Sequence, residues 1–173
     1  MARVPVIRII GKRDSGKTRL IASITSQLVH RGYRVSVIKH SMHRSSFDQP
    51  GKDTWRFSRA GSSVSALCCP NEIVIVKRTK KEPRLEDVVS QTKEDADIIL
   101  VEGFKNAKGP KIEIRRKGER ANGVKGLIAV VGNPNEKAGV PQFGFRENTK
   151  LVDLLEATFL ARRTGRKRYA SHK

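Results

Sequence analysis

Eight consecutive residues near the start of the chain have the types and spacing that hold phosphate groups. They fit the pattern G-x-x-x-x-G-K-[ST] and are Gly11, Lys12, Arg13, Asp14, Ser15, Gly16, Lys17 and Thr18. The two glycines permit backbone angles that let successive amide groups point at phosphate oxygens. We expect Lys17 to reach the terminal phosphates and Thr18 to coordinate Mg²⁺. The sequence therefore predicts a site for a nucleoside triphosphate with its magnesium ion.

The segments on either side of this loop supply the context that the motif requires. Residues 4–10 are a mainly β-branched run that predicts a buried strand. Residues 17–30 place four aliphatic side chains on one face of a helix, whose positive N-terminal end adds to the attraction for phosphate. A strand before the loop and a helix after it form the context that supports a phosphate-binding loop.

A second acidic residue is needed to position Mg²⁺ or its water. Asp97 and Glu102 flank the apolar run 98–101, and at about 3.3 Å per residue they lie roughly 16 Å apart. Only one of them therefore approaches the metal. Ligands gather at the carboxyl ends of parallel strands, so we predict that Glu102 is the second magnesium ligand and Asp97 a surface or capping residue.

Two further segments are expected at the same edge of the sheet. The polar stretch after the strand predicted at 34–39 includes Lys39, His40, Asp48 and Asp53. We expect this stretch to meet the γ-phosphate, the metal or a second substrate; the alternative is a solvated connection in which Asp53 caps a short helix. Asn133 ends another strand, on the side where the base is expected.

The order of the elements predicts the fold class. Strand-like and helix-like segments alternate, which favours an α/β fold of the P-loop NTPase type, with a mostly parallel central sheet flanked by helices. Segments 63–68 and 73–77 predict an inserted β-hairpin, and the alternating segment 111–115 predicts a half-exposed strand. We expect a nucleotide-binding domain over residues 1–163 and a basic, flexible tail over 164–173.

Composition limits the class of protein and its surroundings. Lysine and arginine number 36 against 17 acidic residues, a net charge of +19 that attracts anions such as nucleotides, nucleic acid or an acidic partner. Neighbouring Cys68 and Cys69 provide no disulfide framework, which is typical of a reducing compartment. No segment has the apolar length of a membrane span, so we predict a cytoplasmic protein without a membrane partner.

Several segments together resemble the MobB family, whose members act in molybdopterin guanine dinucleotide biosynthesis. The matching segments are 11–18, 38–40 with His43, 47–56, 60–61, 100–105 and 111–114. The resemblance implies a GTP-binding accessory protein of molybdenum cofactor maturation, which is a homodimer and at most a slow GTPase. Its implied partners are the guanylyltransferase that attaches GMP to molybdopterin and molybdopterin itself.

The same resemblance implies roles for individual residues. Gly11–Thr18 would hold the phosphates of GTP, and Thr18 with Glu102 would position Mg²⁺. The residues implied to line the neighbouring loop, where the pterin or the partner is met, are Lys39, His40, Asp48 and Asp53. The hairpin would contribute to the dimer. The common guanine-reading segment Asn-Lys-x-Asp is absent from the sequence, so guanine is implied by the resemblance alone.

Two other functions are compatible with the same residues. A P-loop kinase acting on a small hydroxylated substrate would use Asp48 or Asp53 as its base, although no arginine-rich lid of helical length is evident. Binding of nucleic acid would use the basic surface. Aromatic residues make up only 5% of the chain and no reading motif is present, which argues against a base-stacking platform for nucleic acid.

Overall fold

The computed structural model describes residues 4–41, 49–119, 123–133 and 139–161. Contacts divide the chain into two compact units, residues 1–40 with 85–173 and residues 41–84. The predicted tail at 164–173 lies outside the described residues. None of the helices among the described residues combines the length and the hydropathy needed to cross a bilayer.

The larger unit is built around a six-stranded sheet, with helices between its strands and after the last strand. Its strands are β1 (Val6–Ile10), β2 (Val35–Lys39), β5 (Ile98–Glu102), β6 (Lys111–Arg115), β7 (Leu127–Gly132) and β8 (Gln142–Phe143). Its helices are α1 (Lys17–His30), α3 (Leu85–Thr92) and α4 (Asn148–Leu155), which continues into a π-helical turn, Glu156–Leu160. The predicted α/β class is confirmed.

All neighbouring strands of this sheet are parallel, in the order β2-β5-β1-β6-β7-β8. Strand β1 is therefore central, and the loop that follows it leaves the carboxyl edge of the sheet between β5 and β6. The segments that follow β2, β5, β6, β7 and β8 leave the same edge. Ligands of open α/β sheets bind along this edge.

The main core lies between one face of the sheet and helices α1 and α4. Ile7 and Ile9 of β1 are fully buried against Ile24 and Leu28 of α1, as the helical spacing of those side chains predicts. Burying a side chain of this size contributes about 2 kcal/mol, so this layer fixes α1 firmly beneath the sheet. The N-terminus of α1 is thereby held at the carboxyl edge.

The expectation of a half-exposed strand at 111–115 is wrong, because every residue of β6 is buried. Strand β6 lies between β1 and β7, so both of its edges are paired. Its charges are retained on the face opposite the main core, where Arg115 donates to the Glu113 carboxylate at 2.6 Å. Lys111 pairs in register with buried Arg8, and burial, followed by the Arg8 charge, lowers the pKa of Lys111.

The smaller unit contains one helix and the predicted hairpin. Helix α2 is Asp53–Arg59, and strands β3 (Val64–Cys69) and β4 (Glu72–Lys77) pair in antiparallel fashion around the Pro70-Asn71 turn. The hairpin is confirmed, with boundaries within one residue of those predicted. Ile73 and Ile75 on β4 are 68% and 62% exposed, which leaves an apolar surface on one face of the hairpin.

Candidate functional site

The loop between β1 and α1 has the backbone shape that the phosphate motif requires. Gly16 occupies the left-handed region at φ +100°, and Asp14 does so at φ +57°. Gly16 offers no side chain to cap α1, and the first turn of α1 contains no acidic residue. Helix N-terminal amides and the positive end of the helix dipole therefore face the carboxyl edge, ready for an anion.

Lys17 reaches back across this loop. Its Nζ donates to the carbonyl oxygen of Lys12 at 2.6 Å and lies 3.3 Å from that of Gly11. These carbonyl contacts are exposed and of the kind that an anion displaces easily, because a charged acceptor binds an ammonium group more strongly than a carbonyl does. The ammonium group thus lies over the loop that is predicted to surround the phosphates.

Thr18 and Glu102 come together at the end of β1 and β5. The Thr18 hydroxyl donates to Glu102 Oε2 at 2.8 Å, and Glu102 pairs with Ile9 in the parallel register. Asp97 lies at the other end of β5, where it accepts from Arg34 Nη2 at 3.1 Å. Hydroxyl and carboxylate oxygens are the donors that Mg²⁺ takes when phosphates supply the rest of its shell, so the pair fits a magnesium ion chemically.

Lys39 and His40 lie beside Glu102, at the end of β2. Lys39 pairs with Glu102 in the β2–β5 register, and the His40 amide donates to the Glu102 carbonyl at 2.9 Å. The His40 ring stacks on Phe104, with 4.2 Å between ring centroids. Gly103 permits this approach, because a Cβ there would lie 2.9 Å from His40 Cβ and its φ is +97°.

The sequence also places Asp48 and Asp53 in this polar stretch. Asp48 lies outside the described residues. Asp53 belongs to the smaller unit, where it is the first residue of α2 and lies 3.8 Å from Arg56 Nη1. The prediction that Asp53 caps this short helix is wrong, because Lys52 occupies the N-cap position without a side-chain hydrogen bond and Asp53 lies in the first turn of α2.

Asn133 follows β7 at the carboxyl edge, as its position predicts. Its amide hydrogen-bonds to the Arg115 carbonyl at 3.3 Å, at the end of the neighbouring strand. Strand β6 separates β7 from β1, so Asn133 stands two strands away from the start of the phosphate loop. This separation gives the site two ends, one at β1 and β5 and another at β7 and β8.

Sequence reasoning missed a turn that holds the outer side of the phosphate loop. Arg116 follows β6 and donates from Nη2 to the Asp14 carbonyl, while Glu119 lies 3.2 Å from Lys12 Nζ. The Arg116 amide donates to Glu119 Oε2, and this bond, followed by Lys12, lowers the pKa of Glu119. The available signal was the charged stretch just after a strand that adjoins β1.

Comparison with known proteins identifies the family. The model of the family described as molybdopterin guanine dinucleotide synthesis protein B, MobB, matches residues 6–133. The chain belongs to the MobB family. The matched segment includes the phosphate loop, Glu102 and the turn that contacts the loop, and it ends at Asn133.

Individual MobB relatives support the same assignment. The molybdopterin-guanine dinucleotide biosynthesis adapter protein of Haemophilus influenzae is 40% identical over 116 residues, which cover 66% of this chain and 65% of that protein. The adapter protein of Escherichia coli is 30% identical over 118 residues, covering 66% of this chain and 67% of that protein. The chain thus spans just under two thirds of the H. influenzae relative.

Solved MobB structures show the same fold. A crystal structure of molybdopterin-guanine biosynthesis protein B superposes with a TM-score of 0.73 at 25% identity, covering 89% of this chain and 98% of that one. Bacillus subtilis MobB superposes with a TM-score of 0.71 at 24% identity, covering 90% and 97%. The parallel sheet, its flanking helices and the hairpin therefore form a MobB-type, P-loop NTPase-like fold.

Proposed function

We propose that this MobB protein binds GTP with Mg²⁺ and serves as an adapter in molybdopterin guanine dinucleotide biosynthesis, assisting the guanylyltransferase that joins GMP to molybdopterin. The observation that carries the nucleotide part is the contact between Thr18 and Glu102 beside Gly11–Thr18. A phosphate loop, an ammonium group over that loop and a hydroxyl–carboxylate pair are together the parts that P-loop proteins use to hold a triphosphate and its metal.

The residues divide the work of binding. Backbone amides of the loop and the N-terminus of α1 would bind the β- and γ-phosphates. Lys17 would exchange its two carbonyl contacts for phosphate oxygens. Thr18 and Glu102 would hold Mg²⁺, which when bound neutralises charge on the phosphates. Lys39 and His40 would adjoin this end and meet the pterin or the partner enzyme.

Guanine and the biosynthetic role are supported by the relatives rather than by a base-reading motif. The proteins of H. influenzae and E. coli are both named molybdopterin-guanine dinucleotide biosynthesis adapter proteins. An adapter requires a partner, and a net charge of +19 favours an acidic partner surface or a phosphorylated ligand. We propose a cytoplasmic location, in keeping with the soluble substrates that this role requires.

A homodimer would cover the exposed apolar face of the hairpin. Alternate residues of β4 and their partners on β3 form that face, and Ile73 and Ile75 are its most exposed large members. An apolar strand pair of this kind is a surface that proteins bury against another chain. The proposed dimer interface therefore lies on the smaller unit.

The test of nucleotide binding is calorimetric titration with GTP, GDP and ATP in the presence of Mg²⁺. We expect GTP to bind more tightly than ATP, and Lys17→Ala to weaken GTP binding by about a hundredfold, because a charge-assisted contact to phosphate is lost. Lys125→Ala removes the same charge from an exposed position before β7 and serves as the control.

Each outcome of this titration has a clear reading. Unchanged GTP affinity in Lys17→Ala would contradict the phosphate loop, and tighter binding of ATP would remove the GTP assignment. Product analysis with GTP is expected to show slow hydrolysis at most. Co-purification of the guanylyltransferase with the tagged protein, and its loss at high salt, would support the adapter role.

A further inference from the structure

Phe145 is an exposed aromatic residue at the end of the site that lies away from the phosphate loop. It stands between β8 and α4, and 52% of its surface is accessible. Single exposed apolar side chains are ordinary on protein surfaces, so the exposure of Phe145 is not by itself a site. Whether Phe145 belongs to a binding site depends on the residues around it.

The Phe145 ring lies over the end of β7. Val131 and Phe143 pair in the parallel register, so the chain that follows each of them leaves the carboxyl edge together. Phe145 Cζ stands 3.2 Å from the position that a Cβ of Gly132 would occupy. Asn133, the next residue, is the residue predicted on the base side. The Phe145 ring and the Asn133 side chain thus both adjoin the backbone at Gly132, which has no side chain of its own.

The turn that carries Phe145 is held in place on both sides. The Gly144 amide donates to Glu147 Oε2 at 2.8 Å, and the Glu147 amide donates to the Gly144 carbonyl at 3.0 Å. Lys150 binds the other oxygen of the Glu147 carboxylate at 2.5 Å, from the first turn of α4. The ring is therefore presented by a fixed turn, which lowers the entropy lost when a flat ligand stacks on it.

The distance along the sheet suits a nucleotide. Strands β1 and β8 are three positions apart in the order of the sheet, and at about 4.8 Å per strand their ends lie about 14 Å apart. When the triphosphate of a nucleotide is held after β1, its phosphates and ribose extend past the ends of β6 and β7, and its base lies near β8. The exposed ring lies at the point where the base of such a ligand arrives.

We propose that Phe145 is the platform on which the purine base of the bound nucleotide stacks, with Asn133 at the edge of the base. This inference rests on the proposed binding of GTP and adds the residue that holds the base. Stacking on an aromatic ring stabilises a ligand that has a base relative to one that lacks it, whichever base it is. Phe145 therefore supplies affinity for the nucleoside part, and the phosphate loop supplies affinity for the triphosphate.

The test compares GTP with inorganic tripolyphosphate, which has the phosphates without the base. Titration of Phe145→Ala in the presence of Mg²⁺ is expected to give GTP affinity about tenfold lower than in the wild type, with tripolyphosphate affinity unchanged. Phe57→Ala removes another exposed phenylalanine, 57% accessible, and is expected to change neither affinity. Phe145→Trp is expected to keep GTP affinity and to show tryptophan fluorescence quenched by GTP but not by tripolyphosphate.

The outcomes separate this inference from the proposed function. Unchanged GTP affinity in Phe145→Ala, or an equal loss for GTP and tripolyphosphate, would overturn the role of Phe145 while leaving the phosphate loop intact. A wild-type protein that binds tripolyphosphate no more tightly than Lys17→Ala does would overturn the proposed function, and the base platform with it.

Discussion

The phosphate end and the base end of the proposed site are built in different ways. The phosphate end is one continuous segment, Gly11–Thr18, which binds mainly through backbone amides and is joined by one distant carboxylate, Glu102. The base end is assembled from short segments after β7 and β8 that meet only in the fold, and its contact surface is the Phe145 ring against the backbone of Gly132.

This difference explains why a phosphate site is visible in a sequence and a base site is not. Backbone recognition demands glycines at fixed spacing, which leaves a contiguous pattern. Stacking demands only a flat side chain at a suitable place, and the place is decided by strand order. The phosphate end should therefore be sensitive to charge, whereas the base end should be sensitive to the close approach of backbone and ring.

The largest effect that separates the two ends is expected from Gly132→Ala. A Cβ at this position would lie 1.9 Å from the Arg115 carbonyl oxygen, so β6 and β7 have to move apart, and the φ of +131° is unfavourable for alanine. We expect a loss of about 3 kcal/mol in the free energy of unfolding, measured by urea denaturation. The folded fraction of Gly132→Ala should bind GTP more weakly than the wild type and tripolyphosphate with the same affinity.

Gly144→Ala is the matched control for this prediction. Its Cβ would make only ordinary contact with Glu147 Oε2, at 3.5 Å, and no left-handed backbone angle is required. We expect a change of about 0.5 kcal/mol or less. Equal stabilities for the two variants would show that the junction of β6 and β7 tolerates a side chain, and the description of the base end would be wrong.

Much of the larger unit could be predicted because its elements have local causes. The bounds of α1 follow from the phosphate motif before it and Gly32 after it, and the order of strands and helices fixes a parallel sheet. The burial of β6 could not be predicted, because charged residues at alternate positions indicate exposure unless a buried pair such as Glu113–Arg115 satisfies them. Strand β8 has two residues, too few to show a period.

The candidate site was predictable to the extent that strand ends determine it. Thr18 and Glu102 meet because they lie at the ends of strands that finish at the same edge. The choice against Asp97 followed from the length of the strand together with its direction, since ligands gather at the carboxyl ends of parallel strands. The stack of His40 on Phe104 depends on the turn at Gly103, which the sequence shows only as a glycine. Metal binding by the pair stays a prediction.

Glu102→Gln tests charge at the phosphate end and is expected to have a smaller effect than Gly132→Ala. Glutamine keeps an oxygen that accepts from the Thr18 hydroxyl but removes the negative charge that would attract Mg²⁺. We expect the ratio of GTP affinity with Mg²⁺ to that with EDTA to fall about tenfold, measured by calorimetry.

Asp97→Asn is the matched control for Glu102, because it removes the carboxylate at the opposite end of β5. It weakens the contact with Arg34 and is expected to lower the free energy of unfolding by about 2 kcal/mol without changing the dependence on Mg²⁺. Should Glu102→Gln respond to Mg²⁺ as the wild type does, Glu102 would be a structural partner of Thr18 rather than a metal ligand.

The smallest effect is expected from Glu119→Gln, at the outer side of the phosphate loop. Its carboxylate lies 3.2 Å from Lys12 Nζ, and the Lys12 side chain is 73% exposed. Removing a negative charge from the vicinity of bound phosphates should raise GTP affinity about twofold, and the gain should disappear at high salt because exposed charges are screened.

The pH dependence of this gain follows from the direction of the pKa shift. The hydrogen bond from the Arg116 amide, followed by Lys12, holds the pKa of Glu119 below its ordinary value. The carboxylate therefore stays charged as the pH falls, and its negative charge is lost only below the lowered pKa. The difference between wild type and Glu119→Gln should therefore stay constant down to about pH 5. A lower GTP affinity in the variant would mean instead that the ion pair between Lys12 and Glu119 orders the phosphate loop for binding. The shape of this backbone binding site would then depend in part on the Glu119 side chain.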